Sequence, residues 1–380
     1  MDFDLTDAQR ALQARIREGA EATLTGAATA PASRERWRAA GDLGLLGLCV
    51  PAEYGGEGLG ALDTAIALEA FGRACPDTGF AFALSAHLLA CLVPIAEHAT
   101  DEARDELLPG LVRGDLVAAN AMTEDEAGSD VAAIATTARR EGDGDDVAYV
   151  LDGEKSWASN APEADVLVTY AVTDAHAGFL GQSAFAVPAT IAGVTRGEPL
   201  GKMGLEGCLA GRVHFAGARV PERYRLGPEG AGSAIFQGSM GWERSCLFAI
   251  YLGMMERQIE ACVEHARSRR QFGARLSDRQ AITHRVAEMV GRLESSRLLL
   301  YRACWALDRG GHDAQATALS KVAVSESAVA NALDAVQLLG ARGYATDGGT
   351  EAQLRDAVPA RIFSGTSEIQ RELIAKGAGL

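Results

Sequence analysis

The spacing of apolar positions divides the chain into three parts. In the first part alanine and leucine recur every three or four residues, which is the pattern of amphipathic helices. The first predicted helix begins at a capping box, Thr6–Gln9, in which the two side chains can satisfy free backbone N–H groups. Further predicted helices cover residues 34–48, 61–74, 79–98 and 101–113. Residues 1–117 are therefore expected to form an N-terminal helical domain.

From about residue 118 the pattern changes to short runs that are rich in β-branched and aromatic residues. Turn-forming stretches such as Glu141–Asp145 separate these runs, as expected for strands joined by tight connections. The predicted strands cover residues 147–152, 164–172, 183–188 and 212–220. Residues 118–228 are expected to form a small antiparallel β domain.

Long helices return after Gly230. A second capping box is predicted at Ser277–Gln280, and apolar residues then repeat at intervals of four, three and four: Ile282, Val286, Met289 and Leu293. Further helices are predicted at about 232–267, at 313–339 and after Thr366. Residues 229–380 therefore suggest a four-helix bundle, and the whole chain an α+β protein with its β domain between two helical domains.

Composition and charge exclude several classes of function. The 380 residues include 51 acidic and 36 basic side chains, and the net charge of −15 opposes binding to the phosphate backbone of a nucleic acid. No uninterrupted apolar run approaches the ~20 residues that span a bilayer, and Met1–Asp4 lacks the basic residues that begin an export signal. We therefore expect a cytoplasmic protein with no membrane or nucleic-acid partner. The seven cysteines are scattered singly, so neither disulfides nor a metal site are expected.

The sharpest chemical signal lies at the junction of the first two domains, in residues 122–130 (M-T-E-D-E-A-G-S-D). Hydroxyl groups and open backbone N–H groups in such a loop can hold the edge of a flat heteroaromatic ring or a phosphate. A plain Asx or serine turn is the alternative, because short Gly-Ser motifs match by chance. Downstream, Gly153–Asn160 places Trp157 among small polar residues, where its indole can pack against a cofactor ring or fill the core.

The C-terminal half holds four weaker motifs at predicted helix ends. They are Arg269–Gly273, Gln280, Gln337–Gly343 and Ile362–Ile369. Helix capping also explains cations and glycines at such positions, so each motif is weak when it is taken alone.

Taken in order, these motifs resemble the acyl-CoA dehydrogenase flavoprotein family over nearly the whole chain. The resemblance begins at Leu5–Gln9 and includes Pro51–Gly56, the T-E-x-x-A-G-S-D loop and the G-x-K-x-W segment. It ends with G-T-S-E-I-Q at Gly365–Gln370. The resemblance implies the three-part fold, non-covalently bound FAD and a homotetramer in which FAD lies partly across a subunit interface.

By this resemblance two groups of residues bind FAD. Met122, Thr123, Gly128, Trp157 and Ser159 would line the flavin, and Ser129 would lie nearer to the substrate or the pyrophosphate. The second group would hold the adenine dinucleotide, largely of a neighbouring subunit: Arg269, Gln271, Phe272, Gln280, Gln337, Gly340, Thr366 and Glu368. The paired glycines of the family's Q-x-x-G-G segment are replaced by Gly340–Ala341 here.

The family's reaction implies a base that removes the α-proton of a thioester while the flavin accepts a hydride from the β-carbon. A carboxylate suits this role when the substrate carbonyl is polarised and the base is desolvated. Many family members place a glutamate immediately before the G-T of the final motif, where this chain has Ser364. A minority, resembling isovaleryl-CoA dehydrogenase, supplies it from the first long helix of the bundle, where this chain has Glu243. Glu243 is therefore the predicted base and Arg244 the residue that orients or polarises the site; an exposed carboxylate and a surface salt bridge are the alternatives.

The segments Ser239–Leu247 and Phe363–Ser367 add a narrower resemblance, to enzymes that oxidise a prolyl group on a peptidyl carrier protein to a pyrrolyl group in natural-product pathways. This resemblance implies a thioester on a carrier protein or coenzyme A, contacted by Ser129, Arg244 and Gly365, with electron-transfer flavoprotein or dioxygen as electron acceptor. The alternatives are a short- or branched-chain acyl-CoA dehydrogenase, a flavin monooxygenase on the same fold, or an interaction protein without enzymatic activity. Glu206, in place of a family arginine, is assigned no role.

Overall fold

The computed structural model describes residues 4–24, 32–310 and 313–380, and its N-terminal part is helical. The Thr6–Gln9 capping box is confirmed, because Gln9 N donates to the Thr6 hydroxyl at 3.2 Å and Thr6 N donates to Gln9 Oε1 at 3.0 Å. Met1–Phe3, part of the segment considered for an export signal, lie outside the described residues. The helices are α1 Asp7–Thr23, α2 Arg34–Asp42, α3 Ala61–Ala74, α4 Thr78–Ala86, α5 Val93–His98 and α6 Asp101–Arg113.

Two of the predicted helices differ from the structure. The helix expected over 34–48 ends at Asp42, because the chain turns at Gly44, whose φ of +78° lies in the left-handed region that glycine favours. The helix expected over 79–98 is interrupted by a π-helical turn at His87–Leu92, which joins α4 to α5. Such turns insert an extra residue and often occur at functional sites.

The middle part is one sheet with the strand order β6-β7-β3-β2-β4-β5-β8, and β1 also pairs with β4. Most pairs are antiparallel as predicted, but β1 and β2 both run parallel to β4, with Ala118 opposite Val166 and Thr137 opposite Val172. The Asp165 carboxylate fixes the entry strand β1 by accepting a hydrogen bond from Val117 N at 2.8 Å. The strands are β1 Ala118–Ala121, β2 Thr137–Glu141, β3 Ala148–Ser159, β4 Val166–Val172, β5 Gln182–Pro188, β6 Val194–Arg196, β7 Ala210–Pro221 and β8 Arg225–Leu226.

The C-terminal part contains the predicted bundle, in which α8, α9 and α13 pack against α10. The helix predicted over 232–267 is interrupted by a second π-helical turn, Glu243–Leu247. A short hairpin of β9 and β10 precedes α9. These elements are α7 Gly232–Trp242, α8 Ala249–Ser268, β9 Arg270–Gln271, β10 Ala274–Arg275, α9 Gln280–Asp308, α10 Ala314–Leu339, α11 Ala341–Tyr344, α12 Thr350–Ala357 and α13 Ser367–Gly377.

The capping box predicted at Ser277 is wrong. Leu276–Asp278 form a 3-10 turn, and α9 begins at Gln280 after an extended Arg279. The Asp278 carboxylate accepts a hydrogen bond from Arg275 N at 3.0 Å, so it closes this turn and does not begin the helix.

One hydrophobic core runs through all three parts, and a small second cluster lies inside the bundle. The predicted apolar series on α9 contributes to both: Met289 and Leu293 are buried, and Ile282 and Val286 pack against the second cluster. The three parts therefore share packing, which fixes the residues at their junction relative to one another.

Within the described ranges, two helical stretches have the length and hydropathy of a membrane span, contrary to the expectation that no apolar run would approach that length. Thr78–His98 is 94% buried within the protein, so the core accounts for its apolar composition. Ala314–Leu339, which is α10, is only 39% buried in the single chain.

Candidate active site

A cavity of about 270 Å³ lies where the helical domain, the sheet and the bundle meet. Ala86 and Ala90 line it from the first π-helical turn and its approach, and Glu243 and Arg244 line it from the second. The two turns contact each other. Glu243 is the one carboxylate among the described residues that line this cavity.

Glu243 is the first residue of its π-helical turn, and it is buried with an exposed fraction of 7%. Burial raises the pKa of Glu243, whereas a hydrogen bond from Ser364 and the charge of Arg244 act in the opposite direction. The buried environment excludes the alternative of an exposed helix carboxylate. A desolvated carboxylate with a raised pKa is a stronger base than one in water.

Ser364 connects the final motif to this carboxylate. Its hydroxyl donates a hydrogen bond to Glu243 Oε1, and its backbone carbonyl accepts hydrogen bonds from Arg244 Nε at 2.8 Å and Gln370 Nε2 at 3.2 Å. Ser364 has a φ of +54°, an uncommon conformation for a residue with a side chain. The residue in the usual position of the family's base is thus held directly against Glu243.

Arg244 is a partly buried cation and not half of a surface salt bridge. Burial lowers the pKa of Arg244, and the neighbouring Glu243 acts against that effect. Gly365 lies beside it with a φ of +85°, and a Cβ atom there would be 2.7 Å from Gln370 Nε2 and 3.2 Å from Arg244 Nη2. Only glycine fits this close approach, so Gly365 leaves the arginine accessible to the cavity.

A second cation lies behind this group. Lys321 on α10 is fully buried, and its ammonium group has no hydrogen-bond partner among the described residues and lies 5.5 Å from the ring centroid of Phe248. Burial lowers the pKa of Lys321 to about 8. Phe248 stacks on Phe363, a cavity residue, with 5.4 Å between ring centroids. The sequence-based prediction missed Lys321, because a lysine in an alanine-rich helix gives no signal of its burial.

A buried ion pair between Glu124 and Lys155 holds the loop of residues 122–130 against the sheet. Lys155 on β3 is fully buried, and its ammonium group donates to Glu124 Oε1 at 2.8 Å and to the Met122 carbonyl at 3.2 Å. Glu124 also accepts hydrogen bonds from the backbone N–H groups of Ala135 at 2.6 Å and Thr136 at 3.0 Å. Neither Glu124 nor Lys155 was among the predicted site residues, although both stand inside the motifs that carried the resemblance.

Burial acts differently on the two members of this pair. Burial lowers the pKa of Lys155 to about 8. Burial alone would raise the pKa of Glu124, but hydrogen bonds from Ala135, Lys155 and Thr136 hold it below its ordinary value. The pair therefore keeps its charge near neutral pH, and it holds the Met122–Thr123 backbone in place.

The residues predicted to line the flavin lie together at the cavity. Met122, Thr123, Gly128, Ser129, Trp157 and Ser159 all line it. The backbone N–H of Ser156 donates to the Thr123 carbonyl at 2.8 Å and joins the two segments. Trp157 is 58% exposed with a φ of +55°, so it does not fill the core. Next to them, the buried Asn120 Oδ1 has no hydrogen-bond partner among the described residues, and Gly128 has open space around it.

The structure does not bring the other predicted cofactor residues to this cavity. The following seven are exposed and line neither this cavity nor its neighbour: Arg269, Gln271, Phe272, Gln280, Gln337, Gly340 and Glu368. Thr366 is half-buried, and its hydroxyl caps α13 by accepting from Ile369 N at 3.3 Å. Glu206 forms an ion pair with Arg355 at 2.8 Å on the surface, which accounts for it without a substrate.

A second cavity of about 520 Å³ adjoins the first. Five residues line both cavities: Met122, Ser129, Val131, Phe236 and Gln237. The outer wall of the second cavity is the β4–β5 loop, including Asp174, Gly178 and Phe179. Sequence reasoning missed this loop, because its composition is that of an ordinary connection.

Among the described residues, no group of three or more His, Cys, Asp or Glu side chains is arranged to hold a metal ion. The cysteines are free, and all except the half-buried Cys49 are buried. The chemistry available at the cavity is that of one buried carboxylate, one arginine and a wall of aromatic, hydroxyl and amide groups.

Comparisons with known proteins bear on the family of the chain. Three family models match the chain: acyl-CoA dehydrogenase, N-terminal domain, over residues 6–115, middle domain over 119–218 and C-terminal domain over 230–379. An L-prolyl-[peptidyl-carrier protein] dehydrogenase of Pseudomonas fluorescens is 50% identical over 379 residues, 99% of both chains. One from a Serratia species is 42% identical over 92% of this chain and 89% of the relative. The solved structure "PigA with FAD and proline" is 39% identical over the whole of both chains, with a TM-score of 0.96. The chain belongs to the acyl-CoA dehydrogenase family.

Proposed function

We propose that this protein is an FAD-dependent dehydrogenase that oxidises an L-prolyl thioester on a peptidyl carrier protein to the pyrrolyl-2-carboxyl thioester. The observation that carries the proposal is the buried Glu243, the one carboxylate at a cavity in which Ser364 stands in the usual place of the family's base. Two relatives with high identity over most of their length, both L-prolyl-[peptidyl-carrier protein] dehydrogenases, support the choice of substrate.

FAD fits the residues that are present. Thr123, Ser159 and the unpartnered Asn120 Oδ1 offer polar contacts to the edge of a flavin, and the half-exposed indole of Trp157 offers a flat apolar face. The open space around Gly128 suits the close approach of a large cofactor. When bound, FAD supplies the two-electron acceptor for the substrate.

Glu243 is the proposed base for the α-proton of the thioester. The Ser364 hydroxyl donates its hydrogen bond to Oε1 of Glu243. Oε2 does not accept that hydrogen bond, so it is the oxygen proposed to take the proton. Arg244 and Gly365 lie beside the carboxylate, where a cation next to an open glycine can polarise or position the thioester. Ser129, at the boundary of the two cavities, is placed to contact the arm that carries the acyl group.

A prolyl substrate can be oxidised twice at this site, because the second oxidation produces an aromatic ring. Removal of the α-proton and a β-hydride yields an enamine, whose tautomer is an imine, and a second two-electron oxidation yields the aromatic pyrrole. Four hydrogens leave in all. The proton transfers of both steps can use Glu243, because no second carboxylate lines the cavity in the part of the chain that the structure describes.

We expect a homotetramer in which a neighbouring chain completes the FAD site. The outer faces of α9 and α10 expose large apolar side chains: Leu298 is 51%, Trp305 50% and Leu333 53% exposed. Burying such a surface between subunits is favourable. The free cysteines are compatible with a reducing compartment and thus with the expected cytoplasmic location.

The test is mass spectrometry of a carrier protein loaded with L-proline after incubation with the FAD-loaded protein. With dioxygen or electron-transfer flavoprotein present to reoxidise the flavin, we expect a loss of four hydrogens from the loaded arm, two per flavin turnover. Under anaerobic conditions we expect bleaching of the flavin absorbance. The same carrier loaded with D-proline is the matched control, because its α-hydrogen points to the opposite face and should be retained. Mixing the reduced protein with dioxygen or electron-transfer flavoprotein identifies the electron acceptor.

An unchanged carrier mass, together with flavin reduction by a short- or branched-chain acyl-CoA, would replace the prolyl proposal by an acyl-CoA dehydrogenase. Failure to bind FAD by a folded protein would leave only an interaction protein on this scaffold.

A further inference from the structure

The second cavity ends at a loop with an unusual surface. All residues from Asp174 to Leu180 are exposed, and the two large apolar side chains at the tip, Phe179 and Leu180, are 60% and 65% exposed. The base of the loop is closed by hydrogen bonds from Thr173 N and Asp174 N to the Gly181 carbonyl, at 2.8 and 3.1 Å. Adjacent large apolar side chains held in solvent are typical of a protein contact surface.

This loop lies at the outer end of the path to Glu243. Phe179 lines the second cavity, and residues such as Met122, Ser129 and Phe236 are shared with the cavity that Glu243 lines. A thioester whose α-carbon reaches Glu243 through the second cavity therefore has its arm emerging beside Phe179. Whatever carries the arm must lie against this loop.

The charges of the second cavity favour a carrier protein over coenzyme A as the group that bears the thioester. Among the described residues, its lining includes the carboxylates of Asp130 and Asp174 and contains no lysine or arginine. Coenzyme A brings a diphosphate and a further phosphate monoester to the outer end of its arm, and these groups would meet carboxylates without a compensating cation. The arm of a carrier protein brings a single phosphodiester and an attached folded domain that can cover the apolar tip.

We propose that the loop of residues 174–180 docks the peptidyl carrier protein, with Phe179 and Leu180 as the apolar contact. The proposal rests on the proposed function, and it names the partner that presents the thioester. The docking is apolar and does not use the exposed arginine group of Arg269, Arg270, Arg275 and Arg279, which lines neither cavity.

The experiment compares two substrates that share the thioester and the arm, prolyl-loaded carrier protein and prolyl-S-pantetheine. The variant carries Phe179→Ser and Leu180→Ser in the FAD-loaded protein; both side chains are exposed, so folding should be unaffected. We expect the KM for the carrier substrate to rise about tenfold or more, because the apolar contact with the carrier is lost. The KM for prolyl-S-pantetheine should rise by a clearly smaller factor, because only Phe179 of the two lines the cavity that the arm crosses. Met203→Ser, at another side chain that is 59% exposed, is the control and should leave both KM values unchanged.

Equal rises for both substrates, or no rise for either, would overturn the docking assignment. A steep increase of the carrier KM with salt in the wild type would also overturn it, because that dependence indicates docking by charge. The KM for prolyl-coenzyme A should be higher than the KM for prolyl-S-pantetheine. The double variant Asp130→Asn, Asp174→Asn should reduce the ratio of the two KM values. Equal use of the two substrates by the wild type would contradict the charge argument.

A binding measurement separates this proposal from the proposed function. Fluorescence anisotropy of a labelled carrier protein bearing an unreactive prolyl amide on its arm reports docking without turnover. Binding that is lost in the Phe179→Ser, Leu180→Ser variant supports the docking loop even if no prolyl thioester is oxidised. Wild-type affinity in that variant refutes the loop even if prolyl oxidation is observed.

Discussion

The two halves of the predicted FAD site differ in how much of each one chain can form. At the reacting end Glu243 is 7% exposed; it begins one π-helical turn, which contacts the other, and it accepts a hydrogen bond from Ser364 of the final motif. At the other end Phe272, expected to contact the adenine dinucleotide, is 96% exposed. A side chain in solvent cannot enclose a ligand, so one chain encloses only the reacting end, and we propose that a second chain completes the other end.

The exposed half of the predicted FAD site nevertheless has a defined backbone conformation in the single chain. Phe272 and Gly273 are the two central residues of the β9–β10 hairpin and have φ values of +50° and +76°, as a tight two-residue hairpin turn requires. Asparagine and glycine favour these positions, and phenylalanine does not. The hairpin thus holds an aromatic ring in solvent at a conformational cost, which is understandable if the ring serves a neighbouring subunit.

The largest effect expected at the reacting end is that of Glu243→Gln. The glutamine keeps the shape of the side chain and cannot accept the α-proton, so flavin reduction by substrate should slow by ~10² to 10⁴. FAD binding should remain normal, because Glu243 is not among the residues expected to hold the cofactor. Stopped-flow absorbance measures the reduction, and the visible spectrum reports bound FAD.

Adding Ser364→Glu to Glu243→Gln sharpens this result. The two positions touch in the structure, so a carboxylate from the final motif should reach the same α-carbon and restore part of the rate. Wild-type reduction rates in Glu243→Gln alone would show that the base lies elsewhere.

The next effect tests whether the two halves come from different chains. Phe272→Asp should weaken FAD binding and abolish activity as a pure homotetramer, with the Glu243 region unchanged. Hybrid tetramers of Phe272→Asp and Glu243→Gln chains should regain activity at about a quarter of the sites, namely those that combine an intact Glu243 with an intact Phe272 of the other chain.

The matched control is a tetramer in which every chain carries both Phe272→Asp and Glu243→Gln. This tetramer should regain no activity. Hybrids without recovery, or an FAD-saturated monomer in sedimentation, would mean that one chain holds the whole cofactor.

Most of the fold was predictable from the sequence, because periodicity reports which face of an element is buried. The three-part order and the Thr6–Gln9 cap are confirmed, whereas the Ser277 cap is wrong because a polar residue three positions before a glutamine also fits a 3-10 turn. The parallel entry of β1 was not predicted, since alternation of side chains does not reveal strand direction.

The site was predictable only in part, for a related reason. Motifs located Met122, Thr123, Trp157 and Glu243, because their residue types recur in a known order. They did not reveal the ion pair of Lys155 and Glu124, or the buried Lys321, because burial depends on tertiary packing and not on local spacing. The π-helical turns also escaped prediction, since one inserted residue is hidden within a helical pattern.

The smallest effect concerns Ser364, whose hydroxyl is too weak a base to replace a carboxylate. The structure gives it another role, since its hydroxyl donates to Glu243 and this hydrogen bond lowers the pKa of Glu243 against the larger, raising effect of burial. Ser364→Ala should therefore raise that pKa further. A base acts only when deprotonated, so the acid limb of kcat/KM against pH should move to higher pH, with about a tenfold loss on that limb and recovery above it.

The shift of the acid limb can be assigned to Glu243, because the following three neighbours do not titrate there. Cys91 and Tyr170 have pKa values raised by burial and stay neutral, and Arg244 stays charged, so none of them titrates on the acid limb. Ser364→Gly removes the same hydroxyl and suits the φ of +54°, so it should move the limb equally, whereas Ser325→Ala, a buried serine bonded only within α10, should not move it. A uniform loss of rate at every pH, with the limb unmoved, would mean that Ser364 only supports the backbone and does not set the proton affinity of the base.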